Sequence, residues 1–63
     1  MDEETPPSIL IVDDEASVRD SFRLYLEDFG YNVIEAADGQ EGIDRFREQR
    51  PDLVLLDMRM PKL

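Results

Sequence analysis

Two short apolar runs, each ending in acid, constrain this chain more than anything else in it. Leu53-Val-Leu-Leu56 runs straight into Asp57, and Ser8-Ile-Leu-Ile-Val12 runs into Asp13-Asp14-Glu15. Runs of four or five branched apolar residues are too short for helices and too continuous for a strand with one wet face. They read as strands buried on both faces, the type found in parallel sheets. Between them lie two helix-length segments and a third strand. Residues 15–29 carry Val18, Phe22, Tyr25, Leu26 and Phe29 at a helical period, and Gly30 stands where a helix ends. Asp13 or Asp14 is placed to cap that helix, and Glu15 suits the positive end of its dipole. Asn32–Ala36 is a short strand, and Asp38-Gly39 a turn. Residues 40–49 form a second helix, with Ile43 and Phe46 as its large apolar residues and Gly42 permitting close approach to a sheet. Arg45, Arg47 and Arg50 favour its C-terminal end, Pro51 closes it, and the last strand spans 52–57.

The order β-α-β-α-β predicts an α/β fold with a parallel sheet and right-handed crossovers. In such sheets ligands bind at the carboxyl ends of the strands. Asp13, Asp14 and Asp57 all fall there if the first and last strands are neighbours. An isolated buried carboxylate is costly, so Asp57 requires water, a cation or hydrogen-bond donors. Like charges at close range raise each other's pKa unless a cation neutralises them. An all-oxygen set completed by water suits Mg²⁺ or Mn²⁺. A carboxylate beside such an ion can act as a nucleophile toward phosphorus. The plainer reading is that Asp13 and Asp14 only cap a helix and Asp57 only ends a strand.

Composition narrows the classes. Sixteen acidic and seven basic side chains give a formal charge of −9, which argues against contact with nucleic acid or anionic lipid through this segment. Cysteine is absent, so disulfides and thiolate metal sites are excluded. No run is long enough to span a bilayer, and Met-Asp-Glu-Glu has the wrong charge for a signal peptide. The expected location is the cytoplasm. Residues 1–7 are acidic and then Pro-Pro, and read as a flexible leader ahead of a unit at 8–63. Strand one is not followed by G-x-G-x-x-G, so a dinucleotide site is not expected.

Ile-Leu-Ile-Val-Asp-Asp-Glu, then Ala-Ala-Asp-Gly-Gln-Glu-Gly, then Arg-Pro-Asp-Leu-Val-Leu-Leu-Asp-Met-Arg-Met-Pro resemble the first half of a bacterial response-regulator receiver domain. The resemblance covers residues 8–63 and implies a flavodoxin-like parallel sheet, here β1-α1-β2-α2-β3 in the order 2-1-3. It implies that Asp57 accepts a phosphoryl group from a histidine kinase or histidine phosphotransferase. It also implies that Asp14 binds Mg²⁺ directly, that Asp13 binds it through water, and that Arg59 lends its backbone carbonyl. Met58 would offer a backbone amide near the phosphoryl oxygens. Ser17, Val18 and Ser21 sit where the family docks its partner. The module is then not an enzyme in the ordinary sense, since its own side chain is consumed. DNA binding would belong to a separate domain.

A complete receiver continues with further strands and helices, a switch Ser/Thr and a Lys that pairs with the phosphoryl group. Lys62 lies in the wrong loop to replace that Lys, so the chain is expected not to be switch-competent. Its third strand would be an apolar edge, and self-association through that edge is expected. Two other functions remain in view. A dehalogenase-like phosphohydrolase would carry a second Asp two residues after the nucleophile, where this chain has Arg59. A non-catalytic assembly or engineered half-domain would look like this sequence.

Overall fold

The computed structural model describes residues 5–56. Five elements follow one another: β1 (Ser8–Val12), α1 (Ala16–Asp28), β2 (Asn32–Ala36), α2 (Gly39–Gln49) and β3 (Leu53–Leu56). The strands form one parallel sheet in the order β2-β1-β3, as the alternation of strands and helices predicts. Register is fixed on both sides of β1. Leu10 lies opposite Ile34 and Val54, and Val12 opposite Ala36 and Leu56. Pairing with β2 begins one residue inside the expected leader, where Asn32 N–H donates to the Pro7 carbonyl at 2.9 Å. On the β3 side, Asp52 N–H donates to Ser8 O, and Ser8 N–H donates to the Asp52 carboxylate.

The apolar run of β1 explains its central place. Ile9, Leu10, Ile11 and Val12 are buried, and Leu10 is 1% exposed. Alternation of side chains divides them between the two faces. Leu10, Val12 and Ala36 cluster on one face, with Ile34 packed beside them. This is the face of α2. A Cβ on Gly42 would lie 3.0 Å from Val12 Cγ2, so the missing side chain lets the helix settle against the strand. Glu35 alternates to the other face, where it meets Arg19 and Arg23 of α1.

Helix ends depart from the sequence reading in informative ways. The N-cap of α1 is Glu15, which makes no side-chain capping bond. Asp13 does not cap the helix. Its Oδ1 accepts the Glu15 N–H at 2.9 Å, one step ahead of the first turn, an Asx-type contact that competes with capping. Asp38 was expected only to turn the chain, but it is the N-cap of α2. Its Oδ1 accepts the Glu41 N–H at 2.8 Å, and Glu41 Oε1 in return accepts the Ala37 N–H. This reciprocal arrangement satisfies two otherwise orphaned donors. Asp38→Ala is therefore expected to lower stability by about 1 kcal/mol, read as a shift in the denaturant midpoint without a change in slope.

The C-terminus of α1 follows expectation. Gly30 has φ 90°, its N–H donates to Glu27 O, and Tyr31 N–H donates to Leu26 O, the paired bonds of a Schellman ending. At the end of α2, Arg50 takes the left-handed position with φ 49°. Pro51 disfavours the right-handed helical conformation for the residue before it.

The aromatic residues are the main correction. A helical period of apolar residues points such side chains at the core, yet Phe22, Phe29 and Phe46 are exposed, and Tyr25 is 63% exposed. Helix α1 has no fully buried residue. The flank it turns to the sheet carries Arg19 and Arg23, with Val18 and Leu26 half-buried, while Phe22, Tyr25 and Phe29 lie on the open side. Tyr25 and Phe29 pack edge-to-face there, with ring centroids 4.9 Å apart. The described sheet is too narrow to cover the whole apolar stripe. On the opposite face, Phe46 and Ile43 border an open apolar groove with Val54 and Leu56.

Candidate functional site

Every candidate on the first strand sits at its carboxyl end, where β1 passes into α1. Asp13 continues the ladder by one bond, donating its N–H to Ala36 O at 3.1 Å. This pins it at the sheet edge, and its residue is only 6% exposed. One carboxylate oxygen accepts the Glu15 N–H. An ionised carboxylate offers several acceptor sites, and burial makes unfilled ones costly. That environment, with Asp14 exposed immediately beside it, suits a hard cation with oxygen ligands. Among the described residues, no group of three or more acidic side chains is arranged to hold a metal. The expected third carboxylate, Asp57, lies outside the described residues. So do Met58 and Arg59.

The backbone of Asp13 is held from a second direction. Arg19, one turn into α1, donates from Nη1 to the Asp13 carbonyl at 2.6 Å. Its Nε donates to Glu35 Oε1 at 3.2 Å. Arg23 lies one turn further on. Its Nε is 3.2 Å from Glu35 Oε2, an ionic contact without hydrogen-bond geometry, and its Nη2 donates to Asp20. These side chains were not singled out from the sequence. The available signal was Arg19 and Arg23 at i, i+4 in the helix that follows the acidic pair, with Glu35 alternating to the face opposite Ile34.

Ser17, Val18 and Ser21 are brought together. With Phe22 and Tyr25 they line an open, mostly apolar groove on the first turns of α1. Ser21 Oγ donates back to Ser17 O at 3.0 Å. That bond satisfies the hydroxyl within the helix and leaves the groove apolar in character. No helix among the described residues is long and apolar enough to cross a membrane.

Comparison with known proteins agrees with this architecture. The profile of the response regulator receiver domain matches residues 9–63. The chain is 48% identical over 63 residues to the probable transcriptional regulator ycf27 of Guillardia theta, covering 100% of this chain and 25% of that protein. It superposes on the chemotaxis response regulator CheY4 of Vibrio cholerae with a TM-score of 0.88 and 37% identity, covering 94% of this chain and 49% of that one. A similar match, with a TM-score of 0.84 and 35% identity, is to a chain in the crystal structure of the P1 domain of CheA3 in complex with CheY6 from R. sphaeroides, covering 94% and 48%. The chain thus spans about a quarter of the curated relative and about half of these receiver chains. With the sheet order, the helix placement and the residues matched all in agreement, the chain belongs to the response regulator receiver domain family.

Proposed function

We propose that this segment carries the phosphoacceptor of a two-component response regulator, with Asp57 taking a phosphoryl group from a phosphohistidine. The observation that supports this most is the register. Val12 lies opposite Leu56 in parallel strands, and the next residue in each sequence is an aspartate.

In this reading Asp13, Asp14 and Asp57, with the Arg59 backbone carbonyl, would hold Mg²⁺ (or Mn²⁺). When bound, such an ion would supply charge neutralisation for phosphoryl transfer. The chain's own part is nucleophilic. A carboxylate oxygen of Asp57 forms a bond to phosphorus as the bond to the donor imidazole nitrogen breaks, and the imidazole leaves. The side chain is consumed in the transfer, so this is a signalling module and not a turnover catalyst. The groove of Ser17, Val18 and Ser21 is the proposed docking surface for the sensor histidine kinase or phosphotransferase. That assignment is consistent with a solved relative having been crystallised with a CheA P1 domain. Cytoplasmic residence fits such a partner.

The experiment is to incubate the intact gene product with a small phosphodonor and Mg²⁺ and weigh it. Gain of one phosphoryl group, prevented by a chelator, is expected. No gain by the intact protein would overturn the reading.

We also propose that the isolated 63-residue chain self-associates through β3. Among the described strands β3 is paired on one side only, and Leu53 and Leu56 are 52% and 43% exposed. An apolar edge of this kind templates pairing with another chain. Light scattering should show dimers or larger species, whereas a monomer that melts cooperatively would contradict it.

A further inference from the structure

We infer that Arg19 is a positioning residue for the acidic strand end, acting on Asp14 through the peptide that joins it to Asp13. The inference rests on the reading above, that this acidic pair holds a divalent cation.

The contact that carries it is the one from Arg19 Nη1 to the Asp13 carbonyl, at 2.6 Å. That oxygen belongs to the Asp13–Asp14 peptide group. Amide planarity means that fixing the carbonyl also fixes the direction in which the chain enters Asp14. The other side of Asp13 is already held by its N–H to Ala36 O and its carboxylate to Glu15 N–H. Arg19 supplies the remaining restraint, and does so from a different element.

The arginine is itself held. Its backbone N–H donates to Glu15 O in the first turn of α1. Helical side chains lean toward the N-terminus, which carries the guanidinium back over the strand end. Its Nε engages Glu35 of β2, and its side chain is only 17% exposed. The Glu35 carboxylate offsets the guanidinium charge, so Arg19 does not replace the cation. The fork of fixed N–H groups is what lets one side chain bridge a backbone oxygen and a carboxylate together. A lysine ammonium lacks that geometry.

A role confined to fastening α1 to β2 makes a different prediction, because Arg23 shares Glu35 and has no contact with Asp13 among those described. The intact protein and its Arg19→Gln, Arg23→Gln and Arg19→Lys variants are titrated with MgCl₂ by calorimetry, and each is melted. Both glutamine variants are expected to lower Tm. Of those two, only Arg19→Gln should weaken Mg²⁺ binding, by roughly tenfold or more, the usual effect of removing a group that orients a ligand. Arg19→Lys should recover part of the Tm without restoring the affinity, and it carries the titration if Arg19→Gln does not fold. Wild-type affinity in the Arg19 variants, or equal weakening by Arg23→Gln, would overturn the inference while leaving the proposed function intact. A wild-type protein with no affinity for Mg²⁺ would overturn both.

Discussion

Asp57→Asn is expected to abolish phosphorylation of the intact protein by a small phosphodonor, with no residual slow uptake at the same position. The change removes the negative charge and the nucleophilic oxygen while keeping the size of the side chain. Its structural cost should be small, because an amide is easier to desolvate than an ionised carboxylate. The expected pattern is therefore complete loss of phosphoryl uptake with little change in Tm. Mass spectrometry after exposure to phosphodonor and Mg²⁺, with a melt of the same sample, reads both. A variant that still gained phosphate at the wild-type rate would place the acceptor elsewhere on the chain.

The second large effect is on stability. Leu10 is at the middle of the central strand, 1% exposed, with Val12, Ala36 and Ile34 around it. Neighbours on both sides, Ile34 and Val54, fix its register. A site so enclosed cannot collapse fully around a truncated side chain. Leu10→Ala should cost about 3 kcal/mol, a large share of the ~5–15 kcal/mol that holds a domain together. Chemical denaturation of the intact protein should show it as a fall in midpoint. By contrast, Leu24→Ala on the exposed side of α1, where Leu24 is 62% exposed, should change little.

The same contrast shows what the sequence could and could not convey. Continuous apolar runs placed β1 and β3 correctly, but the burial they imply holds only for β1: Leu53, Val54 and Leu56 of β3 are exposed, because among the described strands β3 is paired on one side only. Gly30 marked the end of α1 because the chain there needs φ 90°. Asp38-Gly39 was ambiguous, since one dipeptide serves both tight turns and helix N-caps. The Glu at position 41 was the signal for the cap. Arg19 and Arg23 were hidden because a polarity pattern assigns every arginine to solvent. Both are partly buried, and their charged ends find Glu35 and, for Arg19, the Asp13 carbonyl. Phe22, Phe29 and Phe46 were read as core from their hydrophobicity alone. Which face of a helix is covered depends on how wide a sheet lies beneath it, and periodicity carries no information on that width. For the site, the ends of the apolar runs pointed to the acidic residues and the family resemblance to Ser17, Val18 and Ser21, and the structure added the hydrogen bonds that hold Asp13.

The central claim is that an aspartate at the carboxyl end of β3 takes up phosphate with help from a cation held at the carboxyl end of β1. Its most direct test is to phosphorylate the intact protein with a small donor, trap the acyl phosphate by reduction, and locate it by peptide mass mapping, with Mg²⁺ and with a chelator. The modification should map to Asp57 and should vanish when the ion is removed. Phosphate found on Ser17 or Ser21, or on Asp57 to the same extent without a divalent ion, would contradict the account.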